Sequence, residues 1–218
     1  MADADPITAR LERCYTGVLH DVMRARGLSD FVLPPEIRPI LPERRLCGPA
    51  FTIEGRVDTT ADAHATLLAW TGLLSQAPAG HVWVCQPNDR IVAHMGELSA
   101  ETLLHKGVRG AIVDGFARDI DFLLDLGFQT WCRGFTPRDI VAYWLPQATD
   151  ASITIGPVTI NPGDYVCGDR DGCVVIPRGL AADIIADAEA AIATENLVRT
   201  AILDGVDPQE AYLRHGKF

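Results

Sequence analysis

The stretch from 80 to 134 decides the fold: GHVWVCQ (80–86), PNDRIVAHM (87–95), GELSAETLLHKGV (96–108), GAIVDG (110–115), RDIDFLLDLG (118–127) and FQTWCRG (128–134). HVWVCQ, GAIVDG and FQTWCRG are short apolar, β-branched or aromatic runs of strand length. Between them stand two segments with helical spacing, the first opened by a glycine and carrying an acid in its first turn. Strand, helix, strand, helix, strand is the order of a parallel β/α unit, because parallel neighbours need a crossover and a helix supplies it.

Working outward, ITARLERCYTGVLHDVMRARG (7–27) carries apolar residues at helical spacing and ends in Gly27, a C-cap residue. Four prolines in LPPEIRPILPERR (33–45) rule out a regular helix, and the segment reads as an extended crossing. LCGPAFTIEGRV (46–57) reads as a strand, and ADAHATLLAWTGLLSQ (61–76) as a helix with Asp62 as its start cap. In ASITIGPVTINPGDYVCGDRDGCVVIP (151–177), short β runs are broken by Gly-Pro, Asn-Pro-Gly and Asp-Gly, which predicts antiparallel hairpins. Asp169, Asp171 and Gly172 fall at such a turn. A long helix, LAADIIADAEAAIATENLVRTAILDG (180–205), follows, and PQEAYLRHGKF (208–218) closes the chain. The expectation is one α/β domain over 1–218 with a mixed sheet and flanking helices.

Bulk properties restrict the function. A formal net charge of −10 over 218 residues argues against nucleic acid as a partner, since phosphate backbones need clustered Lys and Arg. An anionic substrate therefore needs a local cation or a metal. The six cysteines show no CxxC pair and no finger-like spacing, and they are expected to be reduced, buried thiols. MADADPITARLERC (1–14) lacks a signal peptide's apolar core, and no apolar run approaches the roughly 20 residues that span a bilayer. The expected chain is soluble and cytoplasmic, with no membrane partner.

Parallel β/α units bind ligands beyond the carboxyl ends of their strands, where helix N-termini also point. Two such places stand out. At Gly96-Glu97-Leu98-Ser99, free backbone amides can hold a carboxylate and glycine allows close approach. After Val113, a turn carries Asp114, Gly115, Arg118 and Asp119, offering a guanidinium for oxygen recognition and a carboxylate for a hard cation such as Mg²⁺. The plain alternative is a solvated helix start, whose acids complement the helix dipole.

LHDVMRARG (19–27), IRPILPERRLCGPAFTI (37–53), MGELSAETLLHKGVRGAIVDGFARD (95–119), PGDYVCGDRDGCVVIPR (162–178) and DPQEAYLRHGKF (207–218) together resemble one family. It contains the class II 4-hydroxy-4-methyl-2-oxoglutarate aldolases and the regulator of ribonuclease activity A. The most specific element is the glycine-acid turn followed by the DGxxRD strand end. The resemblance implies a compact α/β/β swivelling-type domain, assembled as a homotrimer or homohexamer with active sites at subunit interfaces. It implies a lyase dependent on Mg²⁺ or Mn²⁺ that cleaves small 2-oxo acids, as a 4-hydroxy-2-oxo diacid aldolase or an oxaloacetate decarboxylase. By the same resemblance, Asp119 matches the metal ligand and Arg118 the residue that steadies the keto oxygen and the enolate. Gly96, Glu97, Leu98 and Ser99 match the cradle for the substrate carboxylate. Glu97 and Glu195 resemble the family's acids that orient a catalytic water, the second of them contributed by the neighbouring subunit.

Departures from the family pattern are also visible. Phe122 stands where many members carry a second carboxylate, with Asp121 one position earlier, and Gly96-Glu97 replaces a pair of glycines. His94 either reaches the pocket or packs at the surface. Arg90 or His94 are candidates for contacting the C4 substituent. An imine mechanism has little support, Lys106 being the lysine nearest these turns. No GxGxG loop supports a methyltransferase. The alternative function is a non-catalytic, protein-binding regulator of an RNA-degrading enzyme.

Overall fold

The computed structural model describes residues 5–217; the acidic opening 1–4 and residue 218 of the expected 1–218 domain lie outside it. The helices are α1 (Pro6–Leu11), α2 (Thr16–Ala25), α3 (Ala63–Gln76), α4 (Glu97–His105), α5 (Ile120–Leu126), α6 (Ala181–Leu203) and α7 (Pro208–His215). The strands are β1 (Arg38–Pro39), β2 (Leu46–Val57), β3 (Val82–Gln86), β4 (Gly110–Val113), β5 (Phe116–Ala117) and β6 (Thr130–Cys132). They continue with β7 (Gly134–Phe135), β8 (Trp144–Thr149), β9 (Ile153–Ile155), β10 (Val158–Ile160), β11 (Tyr165–Gly168) and β12 (Cys173–Ile176).

The main sheet runs β1-β6-β4-β3-β2-β11-β12, with β8 also paired to β2. The unit predicted over 80–134 is present: β3 pairs parallel with β2 and β4, and β4 parallel with β6. The remaining pairings of this sheet are antiparallel, including the β11–β12 hairpin. β9 and β10 form a separate antiparallel hairpin. The fold is therefore the expected mixed α/β sheet with flanking helices.

β2 organises this sheet. Its first residues pair with β11, Ala50 to Glu54 pair with β3, and Ile53 to Val57 pair with β8 through an irregularity at Glu54/Gly55. The bend at Gly55 seats Trp144, because a Cβ there would lie 1.8 Å from the indole. Side chains alternate faces along a strand. Cys47, Phe51 and Ile53 thus join the helix-covered cores, one beneath α3 and α4 and one beneath α2 and α6. Leu46 and Ala50 join the core on the other face, which Ile153, Ile155, Val158 and Ile160 of the β9–β10 hairpin close.

The run read as one helix over 7–27 is two. The chain turns at Glu12–Tyr15, and the amide and hydroxyl of Thr16 both donate to the Asp169 carboxylate, at 2.8 and 2.6 Å. Asp169 sits in the expected hairpin turn, its amide bonded to Gly172 O. It thus caps α2 from far along the chain, something no local periodicity contains. Asp62 caps α3 as predicted, accepting from the Ala65 amide. All six cysteines are free and buried. Among the described residues, no helix is long and apolar enough to cross a membrane.

Candidate active site

The two turns singled out in the sequence meet. Residues 93–95 run beside 116–118 as a ribbon: His94 N donates to Phe116 O and Arg118 N to Met95 O, each at 2.9 Å. This ladder delivers Gly96, the residue before α4, against Arg118 and Asp119. Gly96 is extended (φ −154°, ψ −176°), a backbone any residue adopts, so the demand for glycine here is spatial. A Cβ at 96 would stand 2.8 Å from Asp119 Oδ2 and 3.1 Å from Arg118 Cγ.

Asp119 occupies the N-cap position of α5 but makes no capping bond to that helix. Its backbone is left-handed (φ 56°, ψ 41°), which Asp tolerates better than most residues. Oδ2 instead accepts the amide of Glu97, the first residue of α4, at 3.2 Å. The Asp119 carboxylate therefore meets the start of α4 rather than that of its own helix. Arg118 lies between two carboxylates, Nε 3.4 Å from Asp119 Oδ2 and Nη1 3.4 Å from Asp139 Oδ2. Arg118 and Asp119 are each about one-third exposed, so these pairs add little stability and leave the groups open to a ligand.

With the Glu97 amide bound by Asp119, the next two amides of α4, those of Leu98 and Ser99, have no intrahelical acceptor. Both residues line a cleft of about 460 Å³ together with Gly96, Glu97, Arg118, Asp119 and Asp139. Across it stands α3, held to the cradle by a 2.9 Å hydrogen bond from Trp70 Nε1 to Ser99 Oγ. Every expected in-chain site residue thus borders one cleft. Sequence reasoning missed Asp139 and the α3 wall. Asp139 arrives through the loop after β7, which returns with Ala93 N donating to Arg138 O at 2.9 Å.

Glu195 lies elsewhere. It projects from α6, bound by the Tyr15 hydroxyl and 3.3 Å from Lys217 Nζ, in a separate pocket with Tyr15, Val198 and Leu203. Burial, and then the hydrogen bond to Glu195, push the Tyr15 hydroxyl up to about 12. Asp114 also turns away from the cleft. It is buried, bound by Arg133 Nε and by Gln86 Nε2, the latter at 2.8 Å, and acts as a strut across the strand ends. Asp121 and Phe122 are exposed on α5 and absent from the cleft lining. Arg90 points toward Asp114 (3.9 Å) and is also absent from the lining, as is Lys106, which bonds Ser75 O from the far end of α4.

His94 fits neither sequence expectation alone: it borders the cleft yet has 0% exposure. Neither ring nitrogen has a hydrogen-bond partner, and the ring packs edge-on against Trp144 at 5.0 Å. Desolvation lowers its pKa to about 4, opposed by Asp89, whose Oδ2 lies 3.8 Å from Nε2.

A family model described as RraA-like, Aldolase/RraA, matches residues 16–175, and the chain belongs to this family. A relative from Halalkalibacterium halodurans, named "Putative 4-hydroxy-4-methyl-2-oxoglutarate aldolase", is 29% identical over 187 residues, covering 86% of this chain and 85% of its own length. Protein DlpA of Legionella pneumophila is 26% identical over 206 residues, 93% of this chain; the chain spans only 32% of DlpA. The crystal structure of Streptomyces coelicolor RraAS2, an unusual member of the RNase ES inhibitor RraA protein family, superposes with a TM-score of 0.79 at 25% identity. That match covers 91% of this chain and 98% of RraAS2.

Proposed function

We propose that the protein is a divalent-metal-dependent lyase that cleaves a C–C bond of a small 2-oxo acid and releases pyruvate or a close homologue. The observation that carries this reading is the convergence of the Arg118 guanidinium, the Asp119 carboxylate and the Leu98 and Ser99 amides around Gly96, where a Cβ would press on the Asp119 carboxylate. Family membership supports it, as does the name of the Halalkalibacterium relative.

The donor set fits a hard cation. Among the described residues no three His, Cys, Asp or Glu side chains gather into a metal cage. Asp119 offers a carboxylate from a water-open cleft, and Mg²⁺ or Mn²⁺ bound through one carboxylate keeps waters and accepts substrate oxygens. Held by Asp119, the cation would supply positive charge beside the 2-oxo oxygen. The Leu98 and Ser99 amides hold the substrate carboxylate at the positive end of α4. Arg118 faces the 2-oxo oxygen and shares the negative charge that develops there when the bond to C3 breaks. Glu97, beside both, orients a water to take the proton of the 4-hydroxyl. Glu195 joins that water only from a second copy of the chain, in accord with the trimer or hexamer that family resemblance implies. Decarboxylation of oxaloacetate uses the same charge sink without the base. No lysine lines the cleft, which favours this route over an imine.

The test is pyruvate release from 4-hydroxy-4-methyl-2-oxoglutarate and oxaloacetate with Mg²⁺ and with chelator, beside Arg118→Ala and Asp119→Ala. Metal-dependent release that both variants lose supports the lyase; release no faster than theirs, on these substrates and across a wider panel of 2-oxo acids, removes it. The likeness to RraAS2 motivates a second reading, a protein-binding regulator of an RNA-degrading enzyme. That role does not require Arg118 and Asp119 to be open to a small ligand.

A further inference from the structure

Arg118 stands between two carboxylates at one distance, with Nε 3.4 Å from Asp119 Oδ2 and Nη1 3.4 Å from Asp139 Oδ2. The two acids are held differently. Asp119 Oδ2 also accepts the Glu97 amide, while Oδ1 makes no hydrogen bond among the described residues. Asp139 has its second oxygen engaged, since Oδ1 accepts the Val141 amide at 3.1 Å.

The loop that carries Asp139 is tied on three sides. Thr136 N donates to Ala117 O at 3.0 Å, Ala93 N to Arg138 O at 2.9 Å and Ala142 N to Thr66 Oγ1 of α3 at 3.1 Å. Two of these bonds reach the ribbon that delivers Gly96 and Arg118. Asp139 is therefore a fixed anion beside Arg118, and both belong to one chain. The loop itself has no need of the charge, because an amide oxygen at position 139 would accept from Val141 as well. What the negative charge meets is the guanidinium.

A cation on Asp119 makes that contact matter. Paired with Asp119 alone, Arg118 would close into the two-pronged geometry that guanidinium and carboxylate favour, and would occupy both oxygens open to a metal. A second carboxylate in reach draws the guanidinium aside and leaves an Asp119 oxygen accessible. It also offsets the repulsion between the guanidinium and a divalent ion beside it.

We propose that Asp139 is a positioning residue that holds Arg118 off Asp119, keeping that carboxylate open to a divalent cation with the guanidinium still alongside. This rests on the reading of Asp119 as the cation's ligand.

The test is Mn²⁺ binding to the full chain at about 0.15 M salt, read by EPR of the free ion with and without pyruvate. Asp139→Asn keeps an oxygen for the Val141 amide and removes the charge, so its thermal midpoint should stay near wild type. It is expected to weaken Mn²⁺ binding by at least about tenfold. In an Arg118→Ala background the same substitution is expected to cost no more than about twofold. There Asp139 has no guanidinium to hold, and salt screens its own field at the ion. Unchanged affinity in Asp139→Asn overturns the proposal. An equal loss in both backgrounds also overturns it, since Asp139 would then act on the ion directly rather than through Arg118. Either result leaves the cation on Asp119 standing. No binding by wild type in either condition, or binding that Asp119→Asn retains, overturns the cation reading and this proposal together.

Discussion

The Asp119 carboxylate accepts the Glu97 amide at 3.2 Å, so the residue that opens α5 is bonded to the first turn of α4. One carboxylate thereby fixes the distance between the expected metal ligand and the anion cradle. Asp119→Asn can keep a hydrogen bond to that amide but loses the negative charge. It is expected to lose metal-dependent turnover while its thermal midpoint stays near wild type, as calorimetry and pyruvate-release assays together would show. Turnover retained in Asp119→Asn would remove the cation from this position.

Arg118→Ala removes the one guanidinium in the cleft. The expected loss is about 10²–10³-fold in kcat/KM, the usual size for a group that meets developing oxyanion charge. Arg118→Lys keeps the charge without the planar fork and should recover only part of it.

Gly96→Ala separates space from backbone strain. Position 96 is extended, so alanine suits its dihedral angles, but the new methyl would stand 2.8 Å from Asp119 Oδ2. The variant is expected to fold and to lose most of its affinity for a 2-oxo acid, measured calorimetrically with pyruvate and Mg²⁺. Wild-type affinity would show that the Gly96–Asp119 approach does not matter for binding.

His94 imposes a pH dependence on stability. Its folded-state pKa of about 4 lies below the ordinary histidine value, so folding favours the neutral ring. The unfolded chain takes up a proton first as pH falls, so this contribution is whole above about pH 6.5 and drains away toward the folded pKa. From pH 7.5 to pH 5 the loss is about 2 kcal/mol on that account. Urea denaturation of wild type against His94→Leu should show this increment only in wild type. Equal slopes would place the pH dependence on other groups.

Gly55→Ala drives a methyl into the Trp144 indole, 1.8 Å away before relaxation. Overpacking of this kind costs about 1–3 kcal/mol or more, and the thermal midpoint should fall accordingly. Because Trp144 also packs on His94, its fluorescence should change in the same variant.

What could be read before the structure was what lies close together in the chain. The β/α alternation over 80–134 was legible because each strand and helix carries its own apolar period. The pairing of Gly96 with Arg118 and Asp119 was legible because consecutive parallel strands lie side by side and their C-terminal turns share an edge. Asp139 was not, because its place depends on a loop whose bonds to Ala93 and Ala117 carry no local signal. The break before Thr16 was hidden for a similar reason, since the cap is Asp169. β8 escaped notice because Pro146 interrupts it. The bent end of β2 pairs with it all the same, leaving Gln147 out of register.

The threefold partnership of β2 bears on the order of folding. One strand is hydrogen-bonded in turn to β11, β3 and β8, and Cys47 faces Cys167 while Val57 faces Trp144. Its first and last thirds find partners only after more than half the chain has been laid down, so closing the sheet means closing long loops. Backbone amides in the middle of β2 should therefore be among the last to exchange with deuterium, opening only when the whole molecule does. The cleft's floor and the α2–α6 layer share this strand, and they are expected to melt in one transition.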